Sequence, residues 1–107
     1  MDEQQPPRRR RTEPLLDDMG TAIMSGKDAV AFLWQVPDDA DTRRRLAELL
    51  ERIRDLSTKQ GRTEMPKLCD DLLVAVRAQP TPQQVDMLQD GFDRLYKLWA
   101  AAKSGLM

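Results

Sequence analysis

Apolar residues recur along this chain at three- and four-residue spacing, and the blocks they form are fenced by proline, glycine and capping residues. Leu15, Leu16, Met19 and Ile23 make the first block, with Glu13, Asp17 and Asp18 near its start, where the helix dipole favours acids. Gly20 and Gly26 weaken this segment, so the pattern predicts a break at Ser25 or Gly26 and a second short helix from Lys27 to Val36, stopped by Pro37. That helix carries Ala29, Val30, Phe32, Leu33, Trp34 and Val36, an arc too wide for one buried stripe. Either it sits deep between neighbours or part of it faces a partner.

The next element is sharper. Asp38, Asp39 and Asp41 crowd its start, Leu46, Leu49, Leu50, Ile53 and Leu56 form a narrow stripe through to Lys59, and Gly61 is the expected left-handed terminator. Glu48 precedes Arg52 by four residues, a surface pair worth about 0.3 to 0.5 kcal/mol. A further helix opens at Thr63 and aligns Met65, Leu68, Cys69, Leu72, Leu73 and Val76 before Pro80. The short link between these two helices predicts a hairpin. Thr81-Pro82-Gln83-Gln84 then combines a capping hydroxyl, a proline at the first helical position and a glutamine placed to complete a capping box. The last stripe is Val85, Leu88, Phe92, Leu95, Tyr96 and Trp99, running to about Lys103 and stopped by Gly105. At 1.5 Å per residue this helix is roughly 30 Å long and is the expected spine. The pattern therefore predicts an all-α protein, a small antiparallel four- or five-helix bundle over residues 13–104.

Residues 1–12 hold no apolar side chain after Met1 and include Arg8, Arg9, Arg10 and Arg11; they read as a disordered basic tail. The 107 residues suffice for one domain, and the formal charge of -1 supplies no global field to gather nucleic acid or an anionic membrane. There is no histidine and one cysteine, which removes most nucleophilic and metal-binding constellations. Cys69 lies in an apolar stripe, where a thiol acts as a small hydrophobe. Asp70 and Asp71 are adjacent on a helix and diverge by about 100°, so they do not readily share a proton or a metal. Asp38, Asp39 and Asp41 lack the bidentate glutamate and the glycine of a calcium loop, and capping explains them better. Gly20, Gly26 and Lys27 do not make a phosphate loop. These readings predict no enzyme, no metal and no cofactor. No apolar run approaches the roughly 20 residues of a spanning helix and the amino terminus lacks a signal-like stretch, so membrane insertion is not expected and the cytoplasm is the expected location.

Two binding classes remain. Trp34, Val74, Met87 and Leu98 fall outside the main stripes, and a bundle this small has too little interior for all of them, which marks them as candidate partner-binding residues for another protein or for a second copy. Arg8, Arg9, Arg10 and Arg11 together with Arg43, Arg44 and Arg45 are candidate anion-binding residues, and a small nucleic-acid or acidic-surface binder is the alternative. Asp38, Asp39, Asp41, Glu48 and Glu51 flank Arg43 to Arg45 and neutralise them locally.

The run from Ala47 to Gly61, followed by Met65-Pro66-Lys67-Leu68-Cys69-Asp70-Asp71-Leu72, resembles the central hairpin of histidine phosphotransfer domains of bacterial two-component signalling, over about 35 residues. Gly61 and the Leu68-Cys69-Leu72 stretch match the family pattern, whereas the phospho-accepting histidine would fall near Glu51 and its usual small neighbours are replaced by Arg54, Asp55 and Leu56. The resemblance implies a helical bundle that has lost phosphorelay and docks onto a receiver, kinase or regulator as a silent adaptor.

Overall fold

The computed structural model describes residues 7–105, with side chains from Pro14 onward. Four helices make up the described residues, with no strand among them: α1 (Pro7–Gln35), α2 (Ala40–Lys59), α3 (Glu64–Arg77) and α4 (Pro82–Lys103). Each packs against two others, α1 on α2 and α4, and α3 on α2 and α4, so the helices close a ring around one core. Met19, Ile23, Leu33, Leu46, Leu50, Ile53, Met65, Leu88, Phe92 and Leu95 are shielded from water at its centre. Along α1 the partners on α4 run backwards in number: Asp17 meets Lys103, Gly20 meets Trp99, Gly26 meets Phe92 and Trp34 meets Gln89.

The break predicted at Ser25 or Gly26 does not occur, and the first two expected segments are one helix of 29 residues. Tertiary packing is the reason. A methyl group at Gly26 would overlap the Phe92 ring, and one at Gly20 would come within 2.5 Å of the Trp99 ring, so each glycine is the floor on which an aromatic side chain of α4 rests. Burying two rings against the backbone outweighs the roughly 1 kcal/mol that a mid-helix glycine costs. The acids expected near a helix start lie well inside α1: Asp17 pairs with Lys103 and Asp18 with Arg52. Arg52 therefore reaches α1 rather than Glu48. The longest element is α1, not the last helix, which has 22 residues. The expected tail divides: residues 1–6 and the side chains up to Glu13 lie outside the described residues, while the backbone from Pro7 is drawn into α1.

The other fences stand where the sequence puts them. Asp39 caps α2, its carboxylate accepting from Thr42 N at 3.0 Å and from the Thr42 hydroxyl at 2.6 Å, and these bonds hold its pKa below the usual value. Gly61 has φ +77°, with Arg62 N–H bonded to Ser57 O and Gly61 N–H to Thr58 O, the paired closure of a Schellman motif. Thr81 Oγ1 accepts from Gln84 N at 3.1 Å with Pro82 in the first turn. The reciprocal half of the predicted capping box is not made, because the buried Gln84 side chain turns to Arg43 instead. Thr63 precedes α3 without a side-chain cap bond.

Gly26→Ala separates propensity from packing. Helix propensity alone would raise stability by about 1 kcal/mol. Overlap with Phe92 makes the expected outcome a loss of about 1 to 3 kcal/mol in denaturant unfolding, read from a lower midpoint at unchanged slope.

Candidate functional site

The three arginines at the start of α2 take three different roles. Arg43 turns inward: Nη1 donates to Pro37 O at 3.2 Å, and Nη2 is shared among Val76 O, Ala78 O at 2.7 Å and Gln84 Oε1 at 2.9 Å. One guanidinium thus joins the α1–α2 link, the last carbonyls of α3 and the first turn of α4, satisfying helix-end acceptors that have no intrahelical donor. Partial burial lowers its pKa somewhat, with Asp38 acting against the shift. Arg44 stays at the surface with Asp41 at 2.8 Å. Arg45 is exposed beside Asp28 and Phe32. Arg43 therefore does not belong to an anion site, and the predicted cluster has no common focus on α2. The side chains of Arg8, Arg9, Arg10 and Arg11 lie outside the described residues.

The four candidate partner-binding residues also separate. Leu98 is partly buried and packs on the core. Trp34 is 44% exposed on the α1/α4 side, its indole N–H donating to Gln89 Oε1 at 2.7 Å. Beside it Lys27 lies 3.4 Å from Asp93 and 4.8 Å from the centre of the Tyr96 ring. Tyr96, expected in the core stripe, is 38% exposed. The wide apolar arc is resolved in the same way: Ala29, Val30 and Leu33 are buried, and Phe32, Trp34 and Val36 face water.

Val74 and Met87 come together. They are the two most exposed large apolar side chains among the described residues, at 72% and 57%, and both line one furrow between α3 and α4. Buried Ala75 and Gln84 and exposed Asp71, Ala78, Thr81 and Gln83 complete its lining. The furrow lies beside the close approach of the two helices, where Leu72 sits on Gly91. Asp71 lies three residues before Val74, which puts the two on the same helix face.

On the α2–α3 hairpin, the place where the resemblance puts a histidine is held by an ion pair, Glu51 Oε2 accepting from Arg77 Nη2 at 3.0 Å. Arg54 likewise binds Asp70 at 3.2 Å. Cys69 is fully enclosed on the inner side of α3; burial first, and the Asp70 charge second, push its thiol up to about 12, with Arg54 acting in the other direction. Among the described residues no group of three or more potential ligands converges as a metal site, and no helix is long and apolar enough to cross a membrane. Comparison with protein-family models, with curated proteins and with solved structures gives no match.

Two outcomes follow from this geometry. Arg43→Ala strands several helix-end carbonyls and should lower stability by about 2 to 3 kcal/mol in chemical denaturation. Arg44→Ala, which removes only an exposed pair, should stay within about 0.5 kcal/mol. Separately, with its pKa near 12 Cys69 is ionised in only about one molecule in ten thousand at pH 8 and is enclosed as well, so a thiol reagent should leave the folded protein unlabelled and react at once on unfolding.

Proposed function

We propose that this chain is a non-catalytic docking module, an antiparallel four-helix bundle that binds another protein through the furrow between α3 and α4. The observation that carries the reading is the convergence of Val74 and Met87, two strongly exposed apolar side chains from different helices, on one furrow. Single surface hydrophobes are ordinary in soluble proteins. A pair contributed by two helices to one concave strip is the arrangement that a partner's apolar anchor fills. The flexible thioether of Met87 lets such a strip adjust to what it receives.

Within this reading the chain is a silent adaptor of the phosphotransfer type, docking onto a receiver, kinase or regulator in two-component signalling. The supporting features are the helical hairpin with Gly61 at its turn and the carboxylate near the expected histidine position, where Glu51 is engaged by Arg77. The arginine-based alternative, binding of nucleic acid or an acidic surface, retains Arg45 and the amino-terminal run but has Arg43 and Arg44 already committed to partners inside the chain.

The test is a paired affinity capture with the full chain and the Val74→Ser/Met87→Ser variant. Both positions are exposed, so helicity and melting should change little. A polypeptide retained by the wild type and lost with the double variant supports the reading. Equal capture by both proteins, with loss only when the basic amino terminus is removed, would transfer support to the arginine-based alternative.

A further inference from the structure

The outer face of α1 is left uncovered by the rest of the bundle. Of the seven large apolar side chains exposed among the described residues, four (Met24, Phe32, Trp34 and Val36) lie in the second half of this helix or just past its end. Trp34 turns toward Gln89 on the α4 side. Met24 and Phe32, 48% and 43% exposed, stand about one helical turn to either side of Asp28, which is exposed as well. On the α2 side Asp28 and Phe32 line one hollow together with the exposed Arg45. Both signs of charge are therefore present, and among the described residues neither Asp28 nor Arg45 has an ion-pair partner. Their neighbours are engaged: Arg52 by Asp18 on the same seam, Arg44 by Asp41, and Lys27 by Asp93 of α4. None of these residues lines the α3/α4 furrow.

We infer that this face binds a second copy of the chain, the two α1 helices crossing antiparallel about a twofold axis beside Asp28, with Met24 of each copy on Phe32 of the other and Asp28 of each copy paired with Arg45 of the other. The inference is independent of the docking function proposed above. A symmetric interface has to be its own complement, because each residue that offers a contact must also accept one from the same patch. This face meets that condition twice. Met24 and Phe32 are equally spaced from Asp28, so a half-turn about that point exchanges them and sets a thioether against an aromatic ring, a favourable contact. One unmatched acid and one unmatched base become two ion pairs when the copies meet, and the two Asp28 carboxylates near the axis are bracketed by two Arg45 guanidiniums. A face with one charge of each sign offers a nucleic acid or an anionic bilayer no net attraction. The apolar part is short, about 12 Å from Met24 to Phe32, which places the dimer among small, concentration-dependent interfaces.

Sedimentation velocity of the full chain, from low micromolar to near-millimolar concentration, should show a monomer–dimer equilibrium. Met24→Ser and Phe32→Ser should each weaken association about tenfold or more with helicity unchanged, and Val74→Ser/Met87→Ser should leave it as it is. Asp28→Arg alone sets cations against Arg45, and Arg45→Asp alone sets anions against Asp28, so each variant by itself should be monomeric. An equimolar mixture of the two restores opposite charges across the axis and should dimerise again. Opposite net charge would also draw the two variants together, so the mixture is repeated with Met24→Ser in both chains and should then stay monomeric. A wild type that is monomeric at every concentration overturns the inference, as does a dimer indifferent to Met24→Ser and Phe32→Ser. Failure of the mixture to recover would mean that Asp28 and Arg45 do not meet across an interface, and association of the mixture carrying Met24→Ser would reduce the effect to diffuse attraction; either result overturns it. So does a dimer dissolved by Val74→Ser/Met87→Ser with Met24→Ser silent, since a second copy would then fill the α3/α4 furrow.

Discussion

Two aromatic rings of α4 rest on two glycines of α1, and the arrangement of the bundle depends on that seating. Because Gly20 and Gly26 carry no side chain, Trp99 and Phe92 lie directly against the helix backbone, and the Trp99 indole N–H reaches Leu16 O at 2.7 Å. A third glycine repeats the device on the next seam, where Gly91 receives Leu72. These contacts fix how far α4 stands from α1 and from α3. The separation of α3 and α4 in turn determines whether Val74 and Met87 bound one strip or lie apart. Close packing at a few small residues thus reaches the surface that the proposed function uses.

The other end of the bundle is closed by polar chemistry. Arg43 gathers acceptors from the α1–α2 link, the end of α3 and the start of α4, a task suited to a planar five-donor group and not to lysine. Its commitment divides the run of three: one arginine turned into the fold, one paired to Asp41, one exposed at the surface beside Asp28. The same commitment takes Gln84 out of its capping box, so a single side chain rewrites both a local motif and a candidate site.

The two faces that remain have different characters. On the α1/α4 side, Trp34, Tyr96, Lys27, Asp93 and Gln89 satisfy one another through hydrogen bond, ion pair and ring contact, leaving less unmet chemistry for a partner. Along α3 and α4 the exposed Val74 and Met87 side chains have no such web of contacts among the described residues. A surface that the chain does not satisfy by itself is the better candidate for satisfaction by another chain.

Much of the architecture was legible in the chain alone, and for local reasons. Asp39, Gly61, Thr81-Pro82 and Gly105 act within one turn of themselves, so their effects could be read without knowing the fold, and the stripes of α2 and α3 became buried faces because helical periodicity is a property of neighbouring residues. Val74 and Met87 were recognisable as off-stripe, while Leu98, on the same criterion, is partly buried and packs against the core. Gly20 and Gly26 were misread for the complementary reason: a glycine looks like a helix breaker until the ring that occupies its missing side chain is known, and that ring lies more than sixty residues away in sequence. The sequence by itself determined that the chain is helical, where most helices start and stop, and which stripes are apolar, since all of this follows from interactions within a few residues. Only the tertiary structure decided that α1 is continuous, that Arg43 is structural and that Val74 and Met87 share one furrow, because each depends on groups from separate helices meeting in space.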